Sequence, residues 1–122
     1  MQITQLDVLT YVGPQITAAD MGSLRQLKVG TVIVARAEGE TGDQPTISVI
    51  RQAAGAFGIA VHQIPVVSSN ITDDDVRTYA ALIAGTDTPI FVYCRSGMRA
   101  TSLWALNAAK VGHAPDDILR VA

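Results

Sequence analysis

Apolar positions fall in short runs whose period changes along the chain. Residues 3–12 carry Ile3, Leu6, Val8, Leu9, Tyr11 and Val12 with partial alternation and stop at Gly13-Pro14, which predicts a first strand. Thr17-Ala18-Ala19-Asp20 has the form of a capping box, and Met21, Leu24 and Leu27 follow at helical spacing, so a helix is expected to close before Gly30. Residues 31–35, Thr-Val-Ile-Val-Ala, run apolar without alternation, as a strand of a parallel sheet does when both faces are covered. Residues 37–45 lose all periodicity and form the longest predicted loop. Ile47, Ile50, Ala54 and Phe57 then mark one face of a second helix that stops at Gly58, and residues 59–66 form a third strand. Thr72-Asp73-Asp74-Asp75 opens a third helix with Val76, Ala80 and Ile83 inward, ended by Gly85. A fourth strand, residues 89–93, ends abruptly at Cys94, and a helical pattern resumes near Arg99 with Ala100, Trp104, Ala108 and Val111 on one side. Gly112-His113-Ala114-Pro115 turns the chain into a short last helix, with Asp116 and Asp117 in its first turn and His113 facing solvent.

Strands and helices thus alternate four times. This predicts an α/β fold: one domain over residues 1–122, with a mostly parallel four-stranded sheet, helices on both faces and right-handed crossovers. Ligands in such sheets bind outside the carboxyl ends of the strands, and Cys94 stands at such an end.

Composition narrows the functional classes. Hydrophobic residues at 48% against 16% charged exclude disorder, and a net charge of −2 gives no general attraction to nucleic acid or to an acidic membrane. One cysteine cannot form an internal disulfide, residues 1–5 lack the form of a secretory signal, and no apolar run approaches a membrane span. A soluble cytoplasmic protein is expected, with neither nucleic acid nor membrane as partner. His62 is expected to pack within its strand. With no His, Cys and carboxylate group at metal-ligand spacing, neither metal nor other cofactor is called for.

The chemistry concentrates in Cys94-Arg95-Ser96-Gly97-Met98-Arg99. A loop between a strand and a helix turns its N–H groups inward, and the helix start adds free N–H groups and the positive end of its dipole. Such a cradle takes an anion, and a thiolate, the nucleophilic form of cysteine, is one candidate. Cys94 is therefore the expected nucleophile. Arg95, Ser96, Gly97 and Met98 form the anion-binding loop, Gly97 supplies the turn, and Arg99 covers the bound group with its planar fork of donors. Arg36, Glu38 and Glu40, at and after a strand end on the same side, and Asp73 are candidate lining residues. The three aspartates 73–75 otherwise complement the dipole of their helix.

Cys-Arg-Ser-Gly-Met-Arg resembles the active-site loop of rhodanese-type sulfurtransferases and, more distantly, the phosphate loop of cysteine-dependent phosphatases. The chain as a whole resembles the bacterial β-lactamase-hydrolase-like, phosphatase-like domain family, also described as sulfur transferases. The resemblance runs through Tyr11 to Thr17, Thr31 to Arg36, Gln44-Pro45, Ile64-Pro65-Val66, Ile71 to Val76 and Val92 to Leu106. It implies the cysteine-phosphatase fold, a bacterial source, and a module that can be fused to a metallo-β-lactamase-like hydrolase, which is then a candidate functional partner.

Two reactions use a thiolate in an anion cradle, and both take a small anionic substrate. In sulfur transfer Cys94 takes the outer sulfur of thiosulfate or a persulfide; in ester hydrolysis it takes the phosphoryl group of a phosphate ester. Phosphatases of this type place five residues between cysteine and arginine, whereas four separate Cys94 from Arg99. Ester cleavage also needs a general acid, and the loop 67–70 offers no carboxylate, although Glu38, Glu40 or Asp73 could substitute. Tyr93 stands where the phosphatases carry histidine. On these grounds sulfur transfer through a Cys94 persulfide is the main expectation, phosphate-ester hydrolysis through a phosphocysteine the alternative, and a non-catalytic redox or anion-sensing module a further one.

Overall fold

The computed structural model describes residues 2–67 and 70–110. Asp7 breaks the first apolar run. Its Oδ1 accepts from Leu9 N–H at 3.0 Å and Leu6 N–H donates to Thr10 O at 2.9 Å, so the chain doubles back. The strand expected over residues 3–12 is therefore two, β1 (Thr4–Gln5) and β2 (Thr10–Gly13), paired antiparallel. A 3-10 turn (Ala18–Asp20) leads into α1 (Met21–Gln26) through the expected capping box, in which Thr17 N–H donates to Asp20 Oδ2 at 2.8 Å. Then come β3 (Thr31–Val34), α2 (Ile47–Gly55), β4 (Ala60–Gln63), α3 (Asp73–Ala84), β5 (Ile90–Tyr93) and α4 (Met98–Lys110). Both bonds of the second capping box are made: Thr72 N–H donates to Asp75 Oδ2 at 3.0 Å, and Asp75 N–H to Thr72 Oγ1 at 3.1 Å.

The sheet has five strands in the order β1-β2-β5-β3-β4, not four. It is parallel except for β1, which the Asp7 turn reverses. Successive residues of β5 point to opposite faces. Ile90, Val92 and Cys94 join Val76 and Tyr79 of α3 and Leu103 and Trp104 of α4 on one face. Phe91 and Tyr93 join Met21 and Leu24 of α1 and Ile47 and Ile50 of α2 on the other. Every residue of β5 is buried, which explains its unbroken apolar run.

The edge departs from expectation at two side chains. Phe57 is 41% exposed, because α2 has ended before it and Gly58, at φ 71°, turns the chain. His62, expected to be packed, is exposed on β4, whose outer side has no neighbouring strand. No helix among the described residues is long and apolar enough to cross a membrane. Val111 and the short last helix expected around Asp116 and Asp117, with His113, lie outside the described residues, as do Ser68 and Ser69.

Candidate active site

The position of β5 assembles the site. This strand comes last in the sequence yet lies between β2 and β3, with Gly13, Tyr93 and Val34 level across the three strands. Strands pack about 4.8 Å apart, so residues just past these ends converge around the loop after β5. They are Gln15 from β2, Arg36 from β3, and Cys94 with Arg95 from β5. Gln15 N–H donates to Arg95 O at 3.2 Å, Cys94 N–H to Gly13 O at 3.4 Å, and Ala35 N–H to Tyr93 O at 2.7 Å, which ties the ends together.

Cys94 is fully buried, and its Sγ accepts from Gly97 N–H at 3.1 Å. That bond requires the tight turn at Gly97, where φ is 95°; a Cβ there would also lie 3.3 Å from the Gly13 carbonyl carbon. Glycine is needed on both counts. Met98 N–H donates to Ser96 Oγ at 3.4 Å, and Thr101 Oγ1 to Gly97 O at 3.0 Å, so the loop runs directly into α4. The Met98 side chain is 75% exposed and stands at the mouth. On the opposite face of β5, Tyr93 stacks with Phe91 at 6.1 Å between ring centroids. Burial, opposed by a hydrogen bond with Gln15 and the charge of Arg36, pushes the Tyr93 hydroxyl up to about 12.

Arg99 makes a fork-to-fork pair with Glu40: Nη1 donates to Oε2 and Nη2 to Oε1, both at 2.8 Å, and Nη1 also donates to Val66 O at 2.9 Å. The guanidinium Nε makes no hydrogen bond among the described residues, and Arg99 stands close enough to Cys94 for the thiol to help raise its pKa. Glu40 Oε1 accepts in addition from Arg36 Nε at 3.1 Å, and Oε2 from Ala37 N–H at 3.2 Å. Arg36 is held on its other side by Gln15, whose Oε1 accepts from Nη1 at 2.8 Å. One carboxylate thus orients two arginines. The bonds from Arg99, opposed by burial and aided to a lesser degree by Ala37 and Arg36, hold the Glu40 carboxyl at about 2, and Glu40 in turn raises the Arg99 pKa.

These shifts carry a sign. The folded-state value of Glu40 lies below its ordinary 4.5, so its contribution to stability is complete above that value and is lost as pH falls through about 2. Glu40→Gln is expected to destabilise the domain by about 1 kcal/mol at neutral pH, toward the low end for charged hydrogen bonds because the side chain is 27% exposed. The Tm difference from wild type stays constant above pH 5 and narrows toward pH 2, as thermal melts across that range will show.

Of the sequence-based site residues, the structure joins Cys94, Arg95, Ser96, Gly97, Met98, Arg99, Arg36 and Glu40. Two candidates fall away. Glu38 is not in the site: both its oxygens accept from Ile47 N–H, at 3.0 and 3.2 Å, and cap the start of α2. Asp73 pairs at 3.4 Å with Lys110, which ends α4 some ~18 Å from Met98 at 1.5 Å rise per residue, so it belongs to the opposite end of that helix. Gln15 was not anticipated. Its signal was the Gly13-Pro14 stop, which marks a strand end at the same level as Cys94.

The family model for the beta-lactamase hydrolase-like protein, phosphatase-like domain, matches residues 4–111. The chain belongs to that family. It is 32% identical over 112 residues to a beta-lactamase hydrolase-like protein of Agrobacterium fabrum, which covers 92% of this chain and only 26% of that protein. The chain thus spans about a quarter of the length of that relative. A candidate phosphatase from Neisseria meningitidis Z2491 superposes with a TM-score of 0.89 at 36% identity, over 98% of this chain and 85% of that one. Pseudomonas aeruginosa TpbA shares the fold with a TM-score of 0.73 at 16% identity, over 96% and 69% of the two chains. The α/β architecture of cysteine phosphatases, expected from the sequence, is the one observed.

Proposed function

We propose that this domain is a thiol-dependent phosphatase in which Cys94 forms a phosphocysteine. One observation carries the reading: the cysteine loop leaves the central parallel strand, donates a loop N–H toward Sγ and enters α4 under an arginine fork, in a domain that superposes at 0.89 on a candidate phosphatase. In the first step Cys94 Sγ attacks phosphorus, the S–P bond forms, and the ester P–O bond breaks with its electron pair on the departing oxygen. Water then attacks phosphorus, the S–P bond breaks back to the thiolate, and inorganic phosphate leaves. The free edge of Arg99 and the loop N–H groups stabilise the charge on the equatorial oxygens.

This reverses the order of the two reactions suggested by loop length. The shorter spacing between Cys94 and Arg99 remains a specific feature that favours sulfur transfer, and sulfur transfer is kept as the second reading for that reason. A direct comparison separates them. Wild type is expected to release phosphate from para-nitrophenyl phosphate and to gain no sulfur from thiosulfate by intact mass. A persulfide adduct without phosphate release would transfer the assignment to the second reading.

A further inference from the structure

Arg36 heads the fully buried side chains by volume, with 1% of its surface exposed. Its Nε and Nη1 are bonded to Glu40 and Gln15, while its Nη2 is buried without a hydrogen-bond partner among the described residues. Buried guanidinium nitrogens are normally paired, since an unmet donor on a charged group is expensive. Arg36 lines two cavities. The larger, about 450 Å³, is also lined by Ser96 and Arg99 of the Cys94 loop. The smaller, about 230 Å³, is also lined by Gln15, Asp43 and Gln44. Arg36, Thr41 and Arg95 line both. Three arginines and two carboxylates, Glu40 and Asp43, line the two cavities, so their combined lining is positive within a chain of net charge −2.

We propose that the smaller cavity is a second anion subsite and that the substrate carries a phosphate beside the scissile one, as a phosphoanhydride does. The inference rests on the phosphatase reading. The terminal phosphoryl group occupies the Cys94 cradle, and the adjacent phosphate meets Arg95 and, by a small shift of the Arg36 side chain, its unpaired Nη2, with Thr41 and Gln44 as further polar neighbours. Sγ attacks the terminal phosphorus, the bridging P–O bond breaks, and its electron pair stays on the departing phosphate, where the two arginines neutralise it. Water then cleaves the S–P bond as before. A phosphate leaves as an anion with no proton donated to it, unlike an alkoxide. This agrees with the acids at hand: hydrogen bonds with Arg99 first hold Glu40 ionised, and hydrogen bonds with Thr41 first keep the Asp43 carboxyl below its usual range.

Inorganic pyrophosphate and inorganic phosphate are the probes. Calorimetry on the turnover-deficient Cys94→Ser variant is expected to show pyrophosphate bound at least about tenfold more tightly than phosphate, as one additional charge-assisted contact provides. Adding Arg95→Ala, at an exposed side chain, should remove most of that preference in a double variant that a thermal melt shows to be folded. Wild type should also cleave pyrophosphate with a higher kcat/KM than para-nitrophenyl phosphate, and Arg95→Ala should lower that ratio about tenfold. Equal affinity for the two anions, or a preference and a ratio unaffected by Arg95→Ala, overturns the subsite while hydrolysis of the aryl ester leaves the phosphatase reading standing. Release of phosphate from neither substrate overturns that reading, and this inference with it.

Discussion

Cys94→Ser is expected to fold as wild type does and to lose turnover by at least about 10⁴-fold, the scale of removing a nucleophile from an assembled site. Serine fits the space of the thiol, and the Gly97 N–H that meets Sγ at 3.1 Å can donate to a hydroxyl oxygen instead. The hydroxyl, however, stays protonated near neutral pH, and among the described residues no hydrogen bond ties position 94 to a base. The charge-stabilising parts of the loop are intact in this variant, so it should bind phosphate with little change. Thermal melts, phosphate release and calorimetry measured together distinguish loss of the nucleophile from loss of the fold. Turnover near the wild-type rate would remove Cys94 from the chemistry altogether.

Arg99→Lys should lower kcat/KM by about 10²-fold, close to the effect of deleting one donor to a developing oxyanion. A lysine keeps the positive charge but cannot span both oxygens of Glu40, reach Val66 O and present a further edge to the loop at once. The loss should fall mainly on kcat, because on the phosphatase reading the remaining guanidinium edge meets oxygens whose charge grows in the transition state. Steady-state kinetics on para-nitrophenyl phosphate read the split. A change confined to KM would mean that Arg99 only gathers substrate.

The fold was legible wherever a local rule decided it. The apolar run of residues 89–93 announced a strand buried on both faces, and β5 is one. Thr72 and Asp75 announced a helix start, and the reciprocal bonds are made. The hairpin at Asp7 was missed because the apolar residues on both sides of it read as one continuous run; a single side chain turning back on its own backbone leaves no trace in that pattern. The site divides in the same way. Cys94 to Arg99 lie in one segment and were found together. The pairing of Arg99 with Glu40 spans 59 residues and depends on β5 entering between β2 and β3, which no periodicity encodes. Glu38 and Glu40 stand two apart in one irregular loop, and only the fold separates the residue that caps a helix from the one that orients the arginines.

The N-terminal hairpin and the helix behind the cysteine loop are joined directly. Trp104 Nε1–H donates to Asp7 Oδ2 at 2.8 Å, across 97 residues of sequence. Burial alone would raise the Asp7 pKa, but this bond and those from Thr10 and Leu9 bring it below the usual value, so the indole sits against a fixed negative charge. Trp104 is the only tryptophan in the chain and is 6% exposed. The domain therefore contains its own optical reporter. With a carboxylate of the β1–β2 turn on its indole N–H and the ring nearly buried, its emission is expected to change when the hairpin undocks from α4, without any attached label.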